Sequence, residues 1–475
     1  MSAPHAALPS ASRRTRARRG LTVLAAALCA LAAGTALADD REWLAGDHHV
    51  HSEWSVTWDW STYPPKPIRG GDSEHAILDN ARQAHAHGLS WMVSTDHGGP
   101  GHSRVNAQKA YPALLEARAA VPELMIFYGM EFDVPAAEHA SLIIPIHDDE
   151  RDQLFRIESG YNRREVHEDP SRNTEAFMLE ALAFMRALDP TPVLFVNHPS
   201  RTATAHGAWG DVTPRELRAW QDAAPEVLVG MEGAPGHQAS RETRGLYRNA
   251  AAPTYGGFDQ MTATVGGVWD GMLAEGRRFW ITATSDSHVH ASRGGADFHP
   301  GEYSKTWIHA RRDPAGVLDA LRAGRMFVAT GDLVDRLELE VSVAGEPARM
   351  ATLGERLEVP AGADVHVRLA LRQPARNANG PVPPLHHVEL IEGRAGETAP
   401  VMHRMALDAG GWERDGEWIR MEWRLEDVRE ARFVRVRGTN TDEMEPQPDV
   451  AGEDPWEDLW FYSNPVFIAP ADAGA

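Results

Sequence analysis

A succession of short apolar runs, each ending in a residue able to bind metal, constrains this chain more than any other feature. WMVSTDH closes on Asp96 and His97, LMIFYGMEFD carries Glu131, and VLFVNHP ends at His198. VLVGMEG carries Glu232, and FWITATSDSH ends at Asp286 and His288. His139 stands immediately before the run ASLIIPI, and GDHHVHSEWS opens the series. In a strand, His49 and His51 point to one face together with Asp47, while His48 points away. One buried strand ending this way is ordinary. Several in succession point to a β/α barrel, which gathers the C-terminal ends of its strands on one face.

The intervening segments have helical spacing. SEHAILDNARQAHAHGL, NTEAFMLEALAFMRAL and DPAGVLDALRAGR alternate with the apolar runs, the last with Asp313 as N-cap and Pro314 at the first helical position. His75, His85 and His87 fall on or near the first of these helices and are expected on its solvated side. From about Leu337 the texture changes. RLELEVSV, ADVHVRLAL, HHVELIE, WIRMEWRL and ARFVRVRG alternate with period two between Gly- and Pro-containing turns, the pattern of an all-β sandwich. The expected organisation is a leader over 1–38, a barrel over 39–335 and a β-sandwich over 336–475.

The leader reading rests on Arg13, Arg14, Arg16, Arg18 and Arg19, the apolar run LTVLAAALCALAAG, and the small residues Ala36-Leu37-Ala38 of an A-x-A cleavage site. Arg18-Arg19-Gly20-Leu21 also loosely fits a twin-arginine signal. The alternative is a membrane anchor, which the run disfavours by being shorter than the roughly 20 residues a bilayer span prefers, and no stable membrane insertion is expected after cleavage. Export to the periplasm or the extracellular space follows. The only cysteine, Cys29, lies inside the leader, so the mature chain has no thiolate ligand and no disulfide. Removing five arginines from 47 basic and 68 acidic residues leaves 42 − 68 = −26, a charge that repels nucleic-acid polymers.

Imidazole and carboxylate without thiolate suit zinc, manganese or iron, and a carboxylate can bridge two ions where a neutral histidine cannot. Clustered ions acidify water and neutralise charge on a phosphoryl or carbonyl oxygen, so no nucleophilic side chain is required. No G-x-S-x-G, P-loop or G-x-G-x-x-G occurs in the chain.

The ordered set HxH (His49, His51), TDH (Asp96, His97), GxE (Glu131), a lone His before an apolar strand (His139), NHP (His198) and SDSH (Asp286, His288) resembles the PHP metallohydrolases, named for polymerase and histidinol phosphatase. The leader, the GDHHVH opening, GEYSKTWI, ALRAGRMFVATG and the closing YSNPVFI look most like the CehA/McbA-type branch. The resemblance covers about Gly46 to Gly331. It implies a distorted seven-stranded (β/α) barrel with two or three divalent ions on its C-terminal face. By that pattern His49, His51, Glu131 and Asp286 hold one ion and the attacking hydroxide, and Glu131 bridges to a second ion on His139 and His198. His97 and His288 hold a third. Relatives supply a further His or Asp shortly after the first HxH. The matching position falls in SEWSVTWDWS, where no residue lands at the usual spacing and Asp59 is the candidate offered.

Around these ligands, Asp96 is expected to orient His97 or a neighbouring ligand. Glu232 reads as a remote ligand or as a salt-bridge or loop hydrogen-bond partner. Arg201, Arg293, Lys305 and Arg104 lie in or near strand-end loops and could grip a substrate anion. Trp54, Trp58 and Trp60 either roof an apolar part of the substrate or plug the fold hydrophobically. The functional expectation is an exported metal-dependent hydrolase, first a phosphoesterase acting on a small anionic ester. The alternatives are a carboxylic-ester or carbamate hydrolase and a non-catalytic metal-bound binding protein, because fold and metals do not fix the leaving group. Oligomeric state is not readable from the sequence.

Overall fold

The computed structural model describes residues 40–471 apart from 237–238, 240–246, 248, 398 and 408–409. The leader, its cleavage site and Cys29 lie outside the described residues. Residues Arg41–Ala475 form one unit by their contacts.

Nine strands of a large mixed sheet position the site. They are β1 (Glu42–Val50), β2 (Trp91–Ser94), β3 (Met125–Asp133), β4 (His139–Ile144), β5 (Val193–Val196), β6 (Leu228–Ala234), β7 (Trp280–Ala283), β8 (Ser304–Ala310) and β9 (Met326–Thr330). Their order is β9-β8-β1-β2-β3-β4-β5-β6-β7. Pairing is antiparallel at β8–β9, β8–β1, β3–β4 and β4–β5, and parallel elsewhere, so β4 and β8 run against the rest. β2 and β5 to β7 are buried throughout, as strands covered on both faces must be. The expected helices form over Ile77–Ala86, Glu175–Arg186 and Pro314–Ala323, and Asp313 caps the last by accepting from the Gly316 N–H at 2.6 Å.

The sheet gives the mixed α/β part of the expected distorted seven-stranded barrel, without a backbone ladder that closes it: among the described residues none joins β7 to β8 or β9. Side chains span that seam. The Thr306 hydroxyl on β8 accepts from Ala283 N–H and donates to Ala283 O, both at 2.8 Å. Asn464 accepts from Ile281 N–H at 3.0 Å and donates to Ile281 O at 3.1 Å. Beyond β7, the His51 N–H donates to Ser287 O at 3.0 Å, drawing the end of β1 to the loop that carries Asp286 and His288.

The C-terminal region is all-β, but its strands divide between two sheets. Arg336–Val343, Glu346–Ala351, Ala363–Arg372, Trp412–Asp415 and Trp418–Val428 form a separate antiparallel sheet, with Val365, Val367, Leu369 and Leu371 on its buried face. Trp460–Ser463 instead pairs with β9, and Arg432–Thr439 and His387–Arg394 continue outward from it. The large sheet therefore runs unbroken from the metal-type strands into the C-terminal region. Buried ion pairs add to this contact, notably Arg435 bidentate on Asp270 at 2.7 and 2.9 Å. No helix among the described residues is long and apolar enough to cross a membrane.

Two predictions follow from these contacts. Asn464→Ala leaves a buried N–H and C=O of β7 without partners, so it should lower unfolding free energy by roughly 2–5 kcal/mol, read by denaturant titration. The second concerns His102, fully buried with Nδ1 2.6 Å from Glu158 and Nε2 2.9 Å from Trp54 O. Burial opposes its protonation, but the Glu158 carboxylate outweighs it and raises the imidazole to about 9. Its folded pKa lies above the ordinary value of about 6.5, so its stabilisation is complete below that value and is lost as pH rises through about 9. The stability difference between the wild type and His102→Gln should shrink over that window.

Candidate metal centre

Strand direction explains where each donor sits. Seven of the eight candidate donors expected from sequence come from the C-terminal ends of parallel strands or the loops just beyond them. β4 runs the other way, so its first residue, His139, reaches the same face. At two of these positions the backbone itself is unusual. His198 (φ 29°) and Asp286 (φ 46°) occupy the left-handed region that non-glycine residues avoid, at turns that aim their side chains inward. Gly236 makes room beside one of them, since an added Cβ would lie 2.3 Å from the Asp286 Cβ.

The donors fall into three groups around Glu131, which is buried. In the first, His49 Nε2 lies 3.0 Å from His51 Nε2, 3.2 Å from Glu131 Oε1 and 3.1 Å from Asp286 Oδ1. His51 Nε2 is 3.2 Å from the same Asp286 oxygen. In the second, Glu131 Oε1 meets His139 Nδ1 at 3.0 Å and His198 Nε2 at 2.9 Å. In the third, His288 Nε2 lies 3.4 Å from His97 Nε2, and Asp72 Oδ2 stands 3.3 and 3.6 Å from the two rings. His97 Nδ1 turns back to Glu131 Oε2 at 2.8 Å. The eight ligand residues expected from sequence are thus brought together, and several are shared between groups: His51 also lies with Asp72, His97 and His288, His49 with Glu131 and His198, and His97 with Glu131 and His139.

These distances suit metal. Bonds of about 2.0–2.2 Å place neighbouring ligand atoms roughly 3–3.6 Å apart around one ion. Two ring nitrogens facing each other at 3.0 Å, with two carboxylates beside them, form a donor set that fits a divalent cation. The charge distribution agrees. Burial pushes the Glu131 and Asp286 carboxyls up, but His139, His97 and His49 around the first, and His49, His51 and His288 around the second, hold both well below the usual range. Burial pulls His49 down, yet Asp286, Glu131 and Glu232 keep it well above its ordinary value.

The supporting contacts are also built in. Glu232, fully buried, is not a direct member of any group. Its Oε1 lies 2.7 Å from His49 Nδ1, and its Oε2 accepts from the His198 N–H at 2.7 Å, so one carboxylate orients two candidate ligands. Asp96 acts through the chain beside His51, accepting from Ser52 N–H at 2.6 Å and Ser52 O–H at 2.9 Å. Asn197 donates to Glu131 Oε1 at 3.1 Å.

Several expectations need correction. Asp59 is spent on its own turn, accepting from Ser61, and the additional carboxylate is Asp72. Sequence reasoning missed it because Asp72 lies 21 residues beyond His51, after the hairpin of Thr57–Asp59 and Lys66–Ile68, in a loop with no apolar run to mark it. Lys305 alternates with Thr306 on β8, faces away from β7, and donates to Asp332 at 2.7 Å. Arg293 packs against His75 Nδ1 at 3.2 Å, Arg104 is exposed on its helix, and neither lines the central cavity. His75 is buried and stacked on His290 at 3.8 Å between ring centroids, contrary to the solvated reading, whereas His85 is exposed. Trp58 is buried against Gly99, Trp54 is half-buried and Trp60 is exposed, and none of the three lines the metal cavity.

Arg201 does reach the site. It lines a cavity of about 410 Å3 with Glu131, His198, Tyr247, Asp286 and His288, pairs with Glu138, and sits 3.3 Å from His139 Nδ1.

No family model and no curated protein matches the sequence. Among solved structures, an amidohydrolase from Chromobacterium violaceum with bound sulfate and no metal aligns at 12% identity, over 54% of this chain and 92% of that one. The TM-score is 0.26, a superposition that assigns neither fold nor chemistry to this chain. The chain's own donor groups therefore define it as a candidate metal-binding protein of mixed α/β fold.

Asp72→Asn should lower the metal content of purified protein, whereas Asp59→Ala should leave it unchanged, as elemental analysis would show.

Proposed function

We propose that this protein is a metal-dependent hydrolase of a small anionic ester, with phosphoester as the leading substrate class. The observation that carries the proposal is the sharing of one buried carboxylate, Glu131, between groups of donors suited to two or three divalent ions. Zinc, manganese or iron bound here would polarise a substrate oxygen and provide a nucleophile from water at neutral pH. His49, His51, Glu131 and Asp286 would hold one ion, Glu131, His139 and His198 a second, and Asp72, His97 and His288 a third.

The chain's own contribution is orientation and charge. Glu232 fixes the His49 ring, Asp96 anchors the turn after His51, and Asn197 holds one Glu131 oxygen. The Arg201 guanidinium, about one-third exposed at the cavity wall, can donate to an anionic substrate oxygen. Phosphate, with charge on several oxygens, uses a guanidinium and more than one ion better than a neutral ester does. We also read the chain as exported, on the basic block, apolar run and A-x-A site of residues 1–38.

Metal counting with chromogenic esters tests the reading. The wild type should hold at least two ions and cleave p-nitrophenyl phosphate in preference to p-nitrophenyl acetate. Asp286→Ala should lose metal and reduce turnover by more than about 100-fold. Glu131→Gln should weaken two ions together, whereas His198→Ala should deplete mainly one. A single ion in the wild type, with turnover indifferent to Glu131→Gln, would leave a mononuclear site around His49, His51 and Asp286. Preference for the acetate would instead favour the carboxylic-ester alternative.

A further inference from the structure

Asp133 is a fully buried carboxylate that lies in none of the donor groups above. Its place is dictated by strand geometry. It follows Glu131 by two residues on β3, so both side chains leave the same face, and it is paired directly across from His139 on β4. The His139 imidazole consequently stands between two carboxylates. Its Nδ1 faces Glu131 Oε1 at 3.0 Å, and its Nε2 faces Asp133 Oδ1 at 3.4 Å.

On its other side Asp133 Oδ1 accepts from Arg164 Nη1 at 3.2 Å. Its Oδ2 has no hydrogen-bond partner among the described residues and lies under Gly98, where an added Cβ would approach to 2.7 Å. The Asn162 amide nitrogen, equally without a partner, lies 2.4 Å from that same Cβ position. Among the described residues, one half-exposed guanidinium and the histidine are the cationic partners of this buried carboxylate. Burial of this kind is costly unless the charge is paired and hydrogen-bonded, and the His139 imidazole is the buried partner that Asp133 has.

Resting on the metal-centre reading above, we propose that Asp133 is a positioning residue that sets the His139 tautomer and strengthens its donor nitrogen. A Nε2–H donated to Asp133 leaves the Nδ1 lone pair directed at the Glu131 and His198 side, where a second ion would bind. The same logic joins Glu232 to His49, so two separate donor groups each have a carboxylate behind an imidazole. Arg164 tempers the effect by partly neutralising Asp133.

Metal-free protein titrated with Zn2+ against a chromophoric chelator tests this without reference to turnover. Asp133→Asn preserves volume and removes the charge, so a packing role would survive it. It should weaken one of the bound ions by about 10–100-fold and leave the ion of His49, His51 and Asp286 in place. Arg164→Gln, on the half-exposed rim, should act in the opposite direction and tighten the same ion by at most a few-fold. Wild-type affinity in Asp133→Asn, or equal weakening in both variants, would overturn the proposal while leaving the metal centre intact. If wild-type protein bound no Zn2+, the metal-centre reading itself would fail, and this inference with it.

Discussion

A buried carboxylate surrounded by imidazoles is the constraint around which this molecule is arranged. Glu131 lies within 3.5 Å of ring nitrogens from His49, His51, His97, His139 and His198. A buried charge of that kind is tolerable only where opposite charge is close and fixed. The five rings come from β1, the loop after β2, β4 and the loop after β5, so satisfying one side chain fixes the relative placement of most of the sheet. The reversed direction of β4 belongs to this requirement. Run parallel, its first residue would lie at the far end of the sheet and the second donor group would lose His139.

The structure treats precision at the site and closure of the sheet as separate problems. Closure is left to side chains, with Thr306 and Asn464 pairing the free edge of β7 in place of a backbone ladder. That leaves the loop after β7 free to take the shape that Asp286 and His288 need, including a left-handed backbone at Asp286. Asn464 comes from the last strand pair of the chain. The C-terminal strands therefore support the edge of the sheet that carries Asp286, through the continuous pairing of Trp460–Ser463 with β9.

Much of the centre was legible in the sequence because strand-end residues are reported by local pattern: an apolar run is visible, and so is the polar residue that ends it. His49, His51, His97, Glu131, His198, Asp286 and His288 all stand where such a run stops, and His139 where one starts. The helices over Ile77–Ala86, Glu175–Arg186 and Pro314–Ala323 were readable for the same reason, from spacing and, for the last, its Asp-Pro start.

What the sequence by itself determined was therefore the identity of the strand-end donors and the alternation of strand and helix that presents them, since both depend on residues a few positions apart. Tertiary structure alone decided which polar residues join them. Asp72 enters the third donor group only because a short hairpin folds back and returns the chain to the site. Asp133 and Glu232 stand behind imidazoles six and 183 residues away along the chain, and Lys305 is turned aside by the face its strand presents. Whether a charged side chain is ligand, support or bystander depends on register and strand direction across the sheet, which no local stretch of sequence encodes.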